Sequence, residues 1–338
     1  MSAELSVVDD ARVRLRAALL SLVIATLILA AKYQAYRMTG STAVLSDALE
    51  SIVNVLAAVF ALGGLIFAGR PADRNHPYGH GKIEFFSAAF EGGLIAFASI
   101  LIVYEAVRTL VSGPDVRQIG AGLLIVFGSG LVNLALGIYL VRTGRRYVSL
   151  TLVADGQHVL ADVWTSAGVI VGLALVQLTG RVWLDPLVAL LVALWLMLTG
   201  VRLVRHAAGG LLDEEDPLLL KRVLDALQKY VGGGVIRIHH LRAIRSGRFQ
   251  HVEAHLVVPE FWSVERAHDL SEDVAARVMR DLGAEGEMVF HTDPCHRVYC
   301  VTCDLEDCPI RREPFLKLTP LTLEEVVQPD MPRAGASA

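Results

Sequence analysis

Six long apolar runs between residues 14 and 206 constrain the fold of this chain more than any other feature. A bilayer core about 30 Å thick is crossed by about 20 mainly apolar helical residues, and every run reaches that length. We predict membrane-spanning helices near 14–38, 44–69, 83–110, 119–142, 149–178 and 183–205. The chain is therefore predicted to be an integral membrane protein that resides in a lipid bilayer.

Composition and charge agree with this prediction. Hydrophobic residues make up 54% of the chain, which exceeds the roughly 45–50% of ordinary soluble domains. The net charge is −4, and the basic residues form no stripe with interleaved aromatic residues, so nucleic-acid binding is excluded as a function. Residues 213–338 are mixed and charged, as in a soluble domain.

The basic residues near the predicted helix ends indicate how the chain is oriented. One side of the membrane receives Arg12, Arg14, Arg16, Arg70, Arg74, Lys82, Arg142, Arg145, Arg146, Arg202 and Arg205. The other side receives only Arg37, Arg108, Arg117 and Arg181. Because the richer side is normally cytoplasmic, both termini are predicted to be cytoplasmic. A cell inner membrane is the simplest location, because the N-terminus lacks the pattern of a removable signal peptide.

Four regions follow from this pattern. They are a cytoplasmic N-terminal segment (1–13), a six-helix transmembrane domain (14–210), a cytoplasmic domain (211–294) and a cysteine-rich extension with a tail (295–338). In the cytoplasmic domain we predict a helix at 217–230, strands at 236–245 and 250–258, a helix at 263–282 and a strand at 287–291. This order predicts a ferredoxin-like α+β sandwich. Beyond Pro320 the sequence has little to bury, and we predict disorder there.

Two pairs of polar residues interrupt the predicted membrane helices. Glu50 and Asn54 lie in the second helix, and His158 and Asp162 lie in the fifth. A spacing of four places each pair on one helix face, and an ionisable group at this depth costs about 2.5–3.5 kcal/mol. If the two helices face each other, two carboxylates, an imidazole and an amide oxygen could bind a divalent cation. Alternatively, these residues only hydrogen-bond the helices together.

The strings around these residues resemble the motifs of a known family, the cation diffusion facilitators. Residues 154–162, ADGQHVLAD, resemble the family's A-D-x-x-H-x-x-x-D metal motif, and residues 46–54, SDALESIVN, are similar to its partner motif. The family usually has His or Asp at the position of Glu50 and Asp at that of Asn54. The resemblance covers nearly the whole chain up to about Cys295, and it implies a homodimer whose cytoplasmic domain binds metal.

A second candidate site lies in the loop after the second helix. Residues 71–84, PADRNHPYGHGKIE, resemble the family signature D-x-x-H-x-x-x-H-G-K-x-E. Asp73, His76 and His80 supply one oxygen and two nitrogen ligands, enough for an open metal site. The alternative is that these are solvated polar residues.

Histidines of the cytoplasmic domain form a third candidate. By the resemblance, three of them fall on positions that are ligands in zinc-exporting members, and residues 291–295, HTDPC, are similar to the family's H-x-D-P ending. Zinc sites that bridge two chains are implied, and the alternative is a polar sheet face. The candidates are His239, His255, His268, His291 and Asp293.

The cysteines form a fourth candidate at the end of the chain. Cys295, Cys300, Cys303 and Cys308 lie within fourteen residues. A reducing cytoplasm disfavours stable disulfides, so Cys300-x-x-Cys303 indicates soft metal ligation or redox chemistry. With His296 nearby, the four cysteines could form a zinc site. The alternative is a local fold without a ligand.

These observations predict efflux of divalent transition-metal ions by metal/proton antiport with alternating access. The ions serve as substrate and regulator, with zinc first and iron, manganese or cobalt as alternatives. Protons compete with metal for the ligands, and His158 is the expected proton carrier because imidazole titrates near neutral pH. The alternative is a membrane metal sensor without transport. An enzyme is not predicted, because the sequence contains no nucleophile elbow, phosphate loop or H-E-x-x-H motif.

The altered second-helix pair generates a prediction about selectivity. Three oxygens and one imidazole are harder than the two-histidine sets of strict zinc carriers, and harder ligands favour iron, manganese or cobalt. We expect Glu50→His combined with Asn54→Asp to shift preference toward zinc in competition flux measurements with zinc, cobalt, manganese and ferrous iron. An unaltered preference order would mean that selectivity is decided elsewhere, for example at Asp73, His76 and His80.

Overall fold

The computed structural model describes residues 2–39, 42–112, 122–181, 183–283 and 285–328. The chain divides into two compact units, Met1–Leu212 and Asp213–Ala338. The division lies close to the predicted boundary at residue 210, and each unit is considered separately below.

The described residues of the first unit form six long helices. They are α1 (Ser2–Thr39), α2 (Thr42–Ala68), α3 (Ile83–Ser112), α4 (Gly122–Arg146), α5 (Leu150–Thr179) and α6 (Leu184–Leu211). Within the described residues, four spans are long and apolar enough to cross a membrane: Asp10–Gln34, Ser51–Ala68, Ile83–Val111 and Pro186–Leu211. The predicted helical transmembrane domain is therefore confirmed.

Glycines allow neighbouring helices of this unit to approach backbone to backbone. A Cβ atom on Gly200 of α6 would lie 2.7 Å from the carbonyl oxygen of Gly92 on α3. A Cβ on Gly156 of α5 would lie 3.0 Å from the carbonyl oxygen of Gly137 on α4. Small residues at helix contacts are the usual means of close packing in membranes, where apolar burial gives little net attraction between helices. The contact between Gly137 and Gly156 fixes α5, which bears His158 and Asp162, against α4.

A buried ion pair ties three of the helices together at the start of α5. Ser149 is the N-cap of α5, and its hydroxyl accepts a hydrogen bond from the Leu152 backbone N–H. The same hydroxyl donates to Glu84 Oε2 at 2.6 Å, and Arg14 Nη1 lies 3.1 Å from Glu84 Oε1. Glu84 thus connects α1, α3 and α5, and breaking such a pair leaves an uncompensated buried charge.

The second unit is a small α+β domain. It contains α7 (Pro217–Leu227), β1 (Arg237–Ser246), β2 (Phe249–Val258), α8 (Val264–Leu282), β3 (Gly286–Pro294) and α9 (Leu323–Val326). The sheet order is β1-β2-β3, with β1 antiparallel to β2 and β2 parallel to β3. The α-β-β-α-β order agrees with the prediction and confirms the fold class.

The last described segment differs from the disorder predicted beyond Pro320. Leu321 and Val326 are buried in the domain core, and the Arg237 guanidinium donates to Glu325 Oε1 at 2.6 Å. The His240 backbone N–H donates to the Gln328 carbonyl at 2.9 Å. Residues 321–328 are ordered although their sequence looks polar. The segment buries two apolar side chains and forms one bidentate ion pair, and these contacts hold it on the domain. Residues 329–338 lie outside the described part of the chain.

The contact between α3 and α6 generates a stability prediction. A Cβ on Gly92 would lie 3.0 Å from the Gly200 carbonyl oxygen, whereas a Cβ on Gly93 would meet nothing within 4 Å. We expect Gly92→Leu to destabilise the protein by about 1–3 kcal/mol through overpacking, measured as a lower thermal unfolding temperature in detergent. Gly93→Leu is the matched control and should unfold near the parent temperature. Equal unfolding of both variants would contradict this account of the contact.

Candidate metal centres

Three of the four predicted membrane ligands meet between α2 and α5. His158 Nε2 lies 3.2 Å from Asn54 Oδ1, and Asn54 Nδ2 donates to Asp162 Oδ2. Asn54 and His158 are buried. Glu50 lies on α2, four residues before Asn54, and its side chain is outside the described part of the structure. The structure therefore brings Asn54, His158 and Asp162 together.

The spacing of these atoms suits a small divalent cation. Zinc binds nitrogen and oxygen at about 2.0–2.2 Å, so two ligands of a tetrahedral site lie about 3.3 Å apart. The separation of 3.2 Å between His158 Nε2 and Asn54 Oδ1 agrees with this value. An ion bound there would replace the hydrogen bond of Asn54 with coordination by its carbonyl oxygen.

Two further acids lie beside these ligands, and neither is among the predicted ligands. Glu91 of α3 is completely buried, and its Oε2 lies 4.0 Å from His158 Nδ1. Asp155, one helical turn before His158, is also buried. The sequence contains a signal for Glu91, because a carboxylate in the apolar middle of α3 is costly at membrane depth. Glu91 has no second ionisable residue four positions away, so the paired spacing of the other candidates does not reveal it.

The loop after α2 brings its three predicted ligands together. The ligand atoms of Asp73, His76 and His80 all lie within 4.8 Å of one another. Asp73 Oδ1 lies 3.2 Å from His76 Nδ1, and Asp73 Oδ2 lies 3.4 Å from His80 Nε2. The backbone N–H of His76 bonds the Asp73 carboxylate and lowers its pKa below the ordinary value, so an anionic oxygen is available at neutral pH.

The sheet of the second unit forms another cluster through its register. His239, His255 and His291 lie opposite one another on β1, β2 and β3. Asp293 lies two residues beyond His291 and therefore shares its face. Asp293 Oδ2 contacts His239 Nε2 at 3.0 Å and His255 Nδ1 at 2.9 Å, while His291 Nε2 lies 3.4 Å from Asp293 Oδ1.

One predicted residue lies outside this sheet cluster. The mutually close ligand atoms belong to His239, His255 and Asp293, whereas His268 is exposed on α8. His240 is not among the predicted ligands, but the centre of its ring lies 4.7 Å from that of His255. A register shift between His239 and Arg242, with His240 at a φ of 52°, places His240 there. Sequence alternation alone cannot reveal such a bulge.

The cysteines lie together at the end of β3 and in the segment that follows it. Cys295, Cys300 and Cys303 are buried, Cys308 is half-buried, and all four are free thiols. Burial raises the pKa of the Cys295 thiol above its ordinary value. The four cysteines and His296 line the same cavity.

The fold and these clusters define a membrane protein with candidate cation sites in both of its units. Residues 18–212 match the family model described as the cation efflux transmembrane domain, and residues 216–295 match the one described as the cation efflux protein cytoplasmic domain. The first match covers more than half of the chain. The chain therefore belongs to the cation efflux family, the cation diffusion facilitators, whose members are transporters rather than enzymes.

Several curated proteins resemble the chain over most of their length. An uncharacterized transporter of Synechocystis, sll1263, is 39% identical over 262 residues, which cover 77% of this chain and 84% of the relative. The cation-efflux pump FieF of Cronobacter sakazakii is 27% identical over 85% of this chain and 95% of its own. The manganese efflux system protein MneP of Bacillus subtilis is 26% identical over 80% and 93%.

Proposed function

We propose that this protein exports divalent transition-metal ions from the cytoplasm in exchange for protons. The observation that carries the proposal is the meeting of Asn54, His158 and Asp162 between α2 and α5. Asn54 contacts both residues of α5, because its amide oxygen faces the His158 imidazole and its amide N–H donates to the Asp162 carboxylate. A cation bound between the helices would take the amide oxygen, the imidazole nitrogen and the carboxylate oxygen as ligands. Glu50, on the same helix as Asn54, is the proposed fourth ligand.

The same ligands explain exchange for protons. A carboxylate and an imidazole bind metal only when deprotonated, so protons and metal compete for the site. His158 is the proposed proton carrier, because imidazole changes charge near neutral pH. Alternating access of the site to the two sides would release metal outward and admit protons inward. An inward proton gradient would then drive export.

The ligand set favours a broad range of metals. With His158 neutral, Glu50 and Asp162 together carry two negative charges, which neutralise one divalent ion. Oxygen and imidazole ligands suit zinc and also iron, manganese or cobalt. The similarity to a protein named as a manganese efflux system supports this range.

The remaining clusters are proposed to bind regulatory or entering metal on the cytoplasmic side. Asp73, His76 and His80 would receive the ion before it reaches the membrane site. In the second unit, His239, His255 and Asp293, with His291 at the open side, would sense metal, and His268 would complete such a site in a homodimer. The matched family of this unit is itself named for a dimer. Both termini would be cytoplasmic, and the protein would reside in the cell inner membrane.

A variant of Asp162 tests the proposed function. Asp162→Asn removes the charge but keeps an oxygen that accepts the hydrogen bond of Asn54, so folding should be retained. In sealed proteoliposomes with an imposed pH gradient, we expect the parent to move zinc, cobalt, manganese or ferrous iron and Asp162→Asn to lose at least about 100-fold in rate, because one ligand charge is missing.

The matched control removes a carboxylate outside the membrane. Asp269 is exposed on α8, and Asp269→Asn should transport at the parent rate. Normal flux through Asp162→Asn would show that the transport site is elsewhere. Metal binding by the parent without any flux would instead favour the alternative of a membrane sensor.

A further inference from the structure

The four cysteines surround one cavity in a part of the chain that the family does not account for. The match to the cytoplasmic-domain family ends at residue 295. The cavity measures about 20 Å³ and is lined by Cys295, Cys300, Cys303 and Cys308. This volume accommodates about one water-sized particle, which leaves room for a single, smaller metal ion.

The segment that carries these cysteines packs on the sheet through a small apolar cluster. It contains a short 3-10 helix, Arg297–Val301. Its apolar cluster consists of Ile236 and Val257 with two of the cysteines themselves, and Tyr299, Leu305 and Ile310 pack against it. Segments this short usually need a disulfide or a metal to supplement a small core. The free thiols make a metal the better candidate.

Hydrogen bonds to the backbone hold the loops around the thiols in place. Arg311 Nη1 donates to the Cys300 carbonyl at 2.9 Å, and Arg311 Nη2 donates to the Cys303 carbonyl at 3.0 Å. The Arg312 backbone N–H donates to Cys300 Sγ at 3.5 Å. A hydrogen-bond donor directed at sulfur stabilises a thiolate. Arg297 and Arg311 also line the cavity, and their positive charges offset the negative charge of several thiolates.

We infer that Cys295, Cys300, Cys303 and Cys308 bind one zinc ion that fastens the extension to the sheet of the second unit. On binding, each thiol would release a proton and the four sulfurs would move together around the ion, which gives a site with a net charge of about −2. Four soft sulfurs retain zinc firmly. This site is therefore structural and separate from the nitrogen and oxygen ligands proposed for transport.

The metal content of the intact protein tests this inference. The full chain is purified in detergent under reducing conditions, treated with EDTA, and analysed for bound metal. We expect a single zinc that survives EDTA, is lost in Cys300→Ser with Cys303→Ser, and is retained in His239→Ala, which removes a ligand of the sheet cluster. Cobalt exchanged into the protein should show sulfur-to-cobalt charge-transfer absorption that the double serine variant lacks.

Alkylation of the unmodified protein gives a second measurement that does not depend on how the variants fold. With zinc bound, iodoacetamide should modify the four cysteines at least about tenfold more slowly than after zinc is removed with a thiol-reactive mercurial. Equal alkylation rates, a Cys300 to Cys303 disulfide in the reduced preparation, or iron in place of zinc would each overturn the inference. Flux measurements are not involved, so this test is independent of the proposed function.

A different observation concerns Glu91 and His158 in the first unit. Both carboxylate oxygens of Glu91 and the Nδ1 atom of His158 lack a hydrogen-bond partner among the described residues. The distance from Glu91 Oε2 to His158 Nδ1 is 4.0 Å. The other ring nitrogen, Nε2, points to Asn54. Histidines that bind metals usually donate their second ring N–H to a carboxylate, which fixes the tautomer and the ring orientation.

The geometry points to Glu91 as a positioning residue that holds the Nδ1–H of His158, so that Nε2 faces the ion. This inference rests on the proposed function. A small movement of either side chain closes the gap of 4.0 Å to a hydrogen bond when metal draws electron density from the ring. Glu91 itself does not need to contact the ion.

Two replacements of Glu91 separate positioning from packing. Glu91→Leu removes the acceptor and should raise the metal concentration for half-maximal flux about 10–100-fold, with a smaller change in maximal rate. Glu91→Gln restores an acceptor and should recover most of the affinity. Ser87→Ala, one turn away on α3 and equally buried, is the control and should leave both values unchanged.

The outcomes distinguish this inference from the proposed function. Absence of flux through the parent would overturn the proposed function, whereas parental affinity in Glu91→Leu would overturn only the role of Glu91. Equal loss in the Leu and Gln variants with a lowered unfolding temperature would show that Glu91 serves the fold rather than His158.

Discussion

The first unit depends on one constraint: a polar side chain inside an apolar helix must find its partner on a neighbouring helix. Water is absent from the bilayer core, so a charge left alone there is expensive. Asn54 contacts both His158 and Asp162 between α2 and α5. Such a group of mutually bound ligands is also a place where a cation can replace hydrogen bonds, and the cost of keeping polar groups in the membrane is thereby linked to function.

The helices can meet this constraint because their backbones approach closely. Gly137 and Gly156 join α4 to α5, and Gly92 and Gly200 join α3 to α6. Glu84, held by Arg14 and Ser149, fixes the start of α5. The signature of residues 71–84 therefore has two roles. Its Asp and His residues form the loop cluster, and Glu84 positions the helix that carries His158.

The second unit builds its cluster by a different physical route. Strand pairing alone places His239, His255 and His291 in one row, and the alternation of a strand adds Asp293 to the same face. The parallel pairing of β2 with β3 is possible because α8 connects them. No close helix contact is needed here, because the ladder of backbone hydrogen bonds sets the spacing of the side chains.

The sequence by itself determined the elements and most of the candidate ligands. Long apolar runs can only be membrane helices, a spacing of four fixes a helix face, and alternation fixes a strand face, so α1 to α8, the sheet and the pairs on α5 and in the loop were predictable. Tertiary structure alone decided which faces meet. Glu91 approaches His158 from a helix remote in sequence, residues 321–328 are ordered by Arg237 and the core, and a bulge turns His240 toward His255. Each depends on contacts between residues far apart in the chain, which local periodicity does not encode.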